Sequence, residues 1–96
     1  MRIGKLLKYN REREYLSVKD LANVFGMSPG HLNDIENGRV LVPISGKYYK
    51  KIARYLKMTV IQYLKIAFEE RLKKRISEEK KIESTKNSRF GNGKNL

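Results

Sequence analysis

The sequence predicts an all-α protein of five helices, the last of them extended, followed by a flexible tail. Three observations predict it. Apolar residues recur at spacings of three and four along most of the chain, the period of one helix face. The hydroxyl residues Ser17, Ser28, Ser45 and Thr59 stand just ahead of four such runs, where a side-chain oxygen can accept from a free N–H of the first turn. No segment shows the period-two alternation of a strand, and there is no internal repeat.

In the first helix Ile3, Leu6 and Leu7 share a face between Met1 and Glu14, among Lys5, Lys8, Arg11 and Arg13. The second opens at Ser17 with Asp20 at capping-box spacing, in place of the usual Glu or Gln, and carries Leu21, Ala22, Val24 and Phe25. Gly26 stops it. Ser28 then precedes Pro29, whose ring suits the first helical position, and Leu32 and Ile35 line a third helix that closes at Asn37-Gly38. After a loop from Arg39 to Ile44, Ser45 is the expected cap of a fourth helix with Tyr49, Ile52, Ala53 and Leu56 inward. Thr59 caps the fifth, in which Val60, Ile61, Leu64, Ala67, Phe68, Leu72 and Ile76 continue beyond the length a five-helix core needs. From about residue 86 the chain turns to Asn, Ser, Gly and Lys, too polar to offset the entropy of ordering. The expected organisation is a domain at 1–70, a basic helical extension at 71–85 and a flexible tail at 86–96.

With 96 residues, 40% of them hydrophobic, the chain has room for one modest core. Twenty-two Lys and Arg against ten Asp and Glu give a net charge of +12, split evenly between residues 1–70 and 71–96. Such an excess points to a polyanion, nucleic acid ahead of an acidic membrane surface, because clustered basic charge is what phosphate binding requires. Without cysteine there is no disulfide or thiolate metal site, and the single His31 cannot build a metal site, so no metal or cofactor is expected. An enzyme is set aside, since the chain has neither a phosphate-cradling glycine loop nor an acidic pair in an evident pocket. No stretch approaches the roughly 20 apolar residues of a membrane span, and a cytoplasmic protein without membrane contact is expected.

Between Val18 and Asn37 the spacing meets the requirements of a helix-turn-helix. Ala22 is small where the two helices cross, Gly26 supplies a positive φ at the tight turn, and Leu21, Phe25, Met27, Leu32 and Ile35 can seat the pair on the first and fourth helices. Ile3-Gly4, Leu16-Ser17, Leu21-Ala22, Gly26-Met27-Ser28 and the run from Leu32 to Arg39 resemble the lambda-repressor and Cro-like family, over about Met1 to Leu64. The resemblance implies that the third helix enters the major groove and that dimers read palindromic half-sites about one DNA turn apart.

It also implies roles for individual residues. Arg11 pairs with Glu36 as a structural tie between the first and third helices, and Asn37 and Arg39 meet phosphate, unless they serve as a helix cap and a solvated charge. Ser17 and Lys19 open the second helix, whose backbone N–H groups can hold a phosphate, although Val18 replaces a glutamine common in relatives. Pro29 and Gly30 occupy positions where relatives often read bases, and neither has a hydrogen-bonding side chain. Base reading then falls to Ser28, His31, Asn33 and Asp34, where Asn suits adenine and Asp either accepts from a cytosine amino group or repels phosphate. Lys47 completes the DNA-facing set.

The apolar loop Val40–Ile44 departs from the family and either packs as a satellite of the core or meets a partner. The stripe Ile61, Leu64, Phe68, Leu72 and Ile76 is the expected homodimer contact. The expected function is a sequence-specific double-stranded DNA-binding regulator of transcription, a repressor of a phage, plasmid or bacterial operon. The alternative is a protein-interaction module that has lost base readout and holds a regulatory protein partner.

Overall fold

The computed structural model describes the backbone of residues 2–90 and the side chains of residues 2–76. It contains five α-helices and, among the described residues, no strand: α1 Ile3–Arg13, α2 Val18–Phe25, α3 Pro29–Glu36, α4 Tyr49–Tyr55 and α5 Val60–Phe90. The core joins Ile3 and Leu7 of α1, Leu21, Ala22 and Phe25 of α2, Leu32 and Ile35 of α3, Ile52 and Ala53 of α4, and Tyr63 and Ala67 of α5. Met27 plugs the turn between α2 and α3.

The caps explain the boundaries. Ser17 Oγ accepts from Asp20 N at 3.0 Å while the Asp20 carboxylate accepts from Ser17 N at 3.1 Å, so the box forms with Asp in the role of Glu. Those bonds lower the Asp20 pKa below the usual carboxylate value. Ser28 Oγ accepts from His31 N at 3.1 Å ahead of Pro29. Thr59 and Gln62 make a second reciprocal box at the head of α5. Ser45 caps nothing: Gly46 follows it at φ +80°, the chain turns through residues 46–48, and α4 starts only at Tyr49. The first N–H of α1 is taken by a distant residue, Glu70 of α5, whose carboxylate accepts from Ile3 N at 2.8 Å.

Gly4 sets the distance between α1 and α3. A Cβ there would collide with the Ile35 carbonyl oxygen and lie 3.1 Å from its carbon, so only glycine lets the helices approach this closely. The loop at 40–44 is largely packed: Val42 is buried, Ile44 lies on the core, and Tyr63 Oη donates to Pro43 O at 2.6 Å. Burial raises the pKa of that phenol well above its ordinary value. Val24, assigned by its period to the inner face of α2, points to solvent instead, because an eight-residue helix needs only Leu21, Ala22 and Phe25 to seat it.

At about 1.5 Å per residue the 31 residues of α5 outrun the body, and the molecule measures 57 Å along its longest axis against 26 and 23 Å. The helix continues through residues 86–90, where the polar composition predicts a tail, because no glycine or proline interrupts the chain from Val60 to Phe90. Residues 91–96 of the expected tail lie outside the described residues.

Helices α1 to α4 end alike. Beyond each, one residue takes a left-handed conformation and the next donates its N–H to a carbonyl five residues back: Leu16 to Arg11, Met27 to Ala22, Arg39 to Asp34 and Met58 to Ala53, all at 2.9–3.0 Å. Gly26 and Gly38 fill two of the left-handed positions without strain. Tyr15 (φ +57°) and Lys57 (φ +58°) fill the others, at a cost of about 1–2 kcal/mol for an L side chain. The Tyr15 side chain is 95% exposed, so little packing compensates it. Tyr15→Gly is therefore expected to stabilise the fold by about 1 kcal/mol, read as a higher urea midpoint with unchanged slope. A lower midpoint would show that the tyrosine is not strained.

Candidate nucleic-acid interface

The exposed surface of α3 is the obvious place for a groove-entering element. Leu32, Ile35 and Glu36 turn inward, while Pro29, Gly30, Asn33 and Asn37 are exposed on one side and Ser28 is exposed at the start. His31 and Asp34 are half-buried at its margins. Around this face stand Lys19 at the head of α2, Arg39 beyond the end of α3 and Lys47 before α4, all exposed cations. A shallow cleft between α2 and α3 is lined by Lys19, Asp20, Asn23, Met27 and Pro29.

Several polar side chains on α3 already have partners. Asn37 Nδ2 donates to the Asn33 backbone carbonyl at 2.9 Å and to Asn33 Oδ1 at 3.0 Å. Arg39 Nη1 donates to Asp34 Oδ1 at 3.2 Å, which offsets the carboxylate's repulsion of a phosphate. Both members are substantially exposed, so water screens the pair and it is easily exchanged for a stronger anion. Ser28 is committed to its cap, which leaves its hydroxyl hydrogen for a ligand. Val18 is half-buried and packs against the core.

Below this face lies the tie between Arg11 and Glu36. Arg11 Nε donates to Glu36 Oε2 at 2.9 Å and Nη2 to Oε1 at 3.1 Å, a two-pronged pair, while Nη1 donates to the Leu16 carbonyl at 2.8 Å. The Glu36 side chain is 2% exposed. Hydrogen bonding to Glu36 raises the Arg11 pKa above its ordinary value despite partial desolvation.

Sequence reasoning missed three supports. Tyr48 stands edge-on to His31 with ring centres 5.7 Å apart, and Lys47 Nζ lies 5.4 Å from the Tyr48 ring centre, so one aromatic ring joins two residues of the candidate face. Tyr48 directly precedes α4, and nothing local in the sequence marks its contact with His31. Arg2 reaches across to the end of α3, where its guanidinium lies against Gly38 and donates to the Glu36 carbonyl at 3.5 Å, a favourable charge at a helix C-terminus. Glu70 holds the start of α1 from α5, a long-range contact with no local signature.

The stripe on α5 lies apart from this surface. Ile61, Phe68, Leu72 and Ile76 are 79%, 54%, 59% and 45% exposed, and Leu64 is half-buried against the core. Among the described residues no group of His, Cys, Asp or Glu is placed to hold a metal ion, and no helix is long and apolar enough to cross a membrane.

A family model described as helix-turn-helix matches residues 7–62. The chain is also 40% identical over 68 residues to the ImmF control region 10 kDa protein of Bacillus phage phi105, covering 64% of this chain and 73% of that protein. No solved structure gives a significant match.

The two ion pairs make opposite predictions for stability. Glu36→Gln leaves a buried guanidinium without its counter-charge and is expected to cost about 3 kcal/mol. Asp34→Asn, at the exposed pair, is expected to change stability by less than about 1 kcal/mol. Urea unfolding of both variants checks the contrast, and equal costs would mean that the buried pair does not brace α3.

Proposed function

The chain belongs to the helix-turn-helix family of the lambda-repressor and Cro type, a family of DNA-binding regulators of transcription, and from that premise we propose that it is a sequence-specific repressor acting on duplex DNA. The single observation that carries this reading is the exposed, cation-flanked face of α3, braced from behind by the buried Arg11–Glu36 pair. In this reading α3 lies in the major groove, with Ser28, His31, Asn33 and Asp34 toward base edges and Pro29 and Gly30 allowing close approach. Ser17 and Lys19 at the head of α2, and Asn37, Arg39 and Lys47, meet the phosphates on either side. Occupancy of an operator blocks or redirects polymerase, and no chemistry is required. The similarity to a phage control-region protein supports a place in a phage or phage-derived operon. We place the DNA-binding domain at 1–70 and assign the helix beyond it to assembly and nonspecific phosphate attraction, in the cytoplasm.

The stripe of Ile61, Leu64, Phe68, Leu72 and Ile76 supports a homodimer, since its spacings of three and four suit an antiparallel or parallel helix pair. The interaction-module alternative loses one of its supports, because the Val40–Ile44 loop is largely packed and only Val40 among its residues is exposed.

Titration of duplex DNA against rising salt is expected to give a log–log slope of roughly −0.9 per phosphate contact. Arg39→Ala should weaken binding to all sequences alike and make that slope shallower by about one contact. Affinity indifferent to salt would refute duplex binding through phosphates. Phe68→Glu is expected to shift the protein from dimer to monomer in sedimentation equilibrium while leaving its helical circular dichroism in place. A parent that is monomeric at high concentration would refute the dimer.

A further inference from the structure

The orientation of two amides on α3 limits which base they can read. Pro29, Gly30, Asn33 and Asn37 share the exposed face, and Asn33 is its central hydrogen-bonding side chain. The amide nitrogen of Asn37 lies 2.9 Å from the backbone carbonyl of Asn33. A carbonyl oxygen only accepts, so the group facing it must be the NH₂ of Asn37. That same NH₂ lies 3.0 Å from the side chain of Asn33, and the Asn33 atom that meets it must therefore be the oxygen. One backbone carbonyl thus dictates both orientations. The Asn33 oxygen is turned along the helix toward Asn37, and its NH₂, with two donors, is left for a ligand.

Bidentate reading of adenine needs a donor and an acceptor side by side, one for N7 and one for the N6 amino group. Guanine presents two acceptors, N7 and O6, at the same place. We propose that Asn33, oriented by Asn37, reads guanine in preference to adenine, so that the half-site carries a G·C pair at this contact. Adenine would have to draw on the second lone pair of an oxygen already turned along the helix toward Asn37, whereas guanine meets only the free NH₂. The neighbouring Asp34 carboxylate, with one oxygen on Arg39, keeps the other to accept from a cytosine N4 amino group. Pro29 and Gly30 place no competing hydrogen-bonding side chain on the face.

This inference rests on α3 being the recognition helix, and its test separates the two. Duplexes bound from a random pool are sequenced for the parent, Asn33→Ala and Asn37→Ala; all three proteins are checked by circular dichroism, and the sites altered are exposed. The position at which Asn33→Ala loses preference marks the contact. There the parent is expected to enrich G over A by about tenfold, and 7-deazaguanine, which lacks the N7 acceptor, should lower its affinity severalfold. Asn37→Ala frees the amide to rotate and should move the preference toward A, besides any uniform loss from a phosphate contact. Enrichment of A by the parent, or a G preference unchanged in Asn37→Ala, overturns the proposal while leaving α3 as the reading element. Absence of preference at every position overturns the recognition-helix reading and the proposal together.

Discussion

The Arg11 guanidinium satisfies three acceptors at once, both carboxylate oxygens of Glu36 and the carbonyl of Leu16, and so joins α1, the turn into α2 and α3 at one point. Burying such a pair gains little net stability, because desolvation of both charges offsets most of the attraction. What it supplies is geometry. A planar fork on a carboxylate tolerates little rotation, and Glu36 is the last residue of α3, so the orientation of that helix on its scaffold is fixed from its C-terminal end. At the other end Ser28 and Pro29 fix its start. Gly4 sets how near α1 comes, and the surface of α3 is presented at one height and one angle.

A short rigid helix is useful to a DNA reader because its side chains need not be ordered again on binding. The asparagines, Asp34 with Arg39, and His31 with Tyr48 are each held by a neighbour in the free protein. Long-range attraction is supplied separately by the net charge of +12, which draws any phosphate backbone and does not depend on sequence. On the proposed reading, attraction and selectivity fall to different residues, the first to Lys and Arg spread over the surface, the second to a few side chains of α3 that have partners in the free protein.

The sequence made the helices legible because their signals are local. Ser17 with Asp20, Ser28 with Pro29, and Gly26 at its turn carry their meaning within a few residues, and the core follows from spacing. Ser45 misled for a local reason too: a hydroxyl ahead of an apolar run resembles a cap, but Gly46 directs the chain into a turn first. Arg11 with Glu36 could be anticipated through the family resemblance, whereas Glu70 on Ile3 N, Arg2 on Gly38 and Tyr48 on His31 join residues far apart in sequence and have no local mark. Asn33 and Asn37 were visible as polar residues four apart. Only the bond between them reveals which atom each presents.

Glu70 has a consequence that reaches beyond capping. Helix α1 has no cap of its own at Arg2 and borrows one from α5, so the arm carrying the exposed apolar stripe is wired to the helix that braces α3. A molecule that gripped α5 and shifted Glu70 would withdraw that cap, and by linkage any factor by which this changed DNA affinity would appear equally in its grip on α5 when DNA is bound.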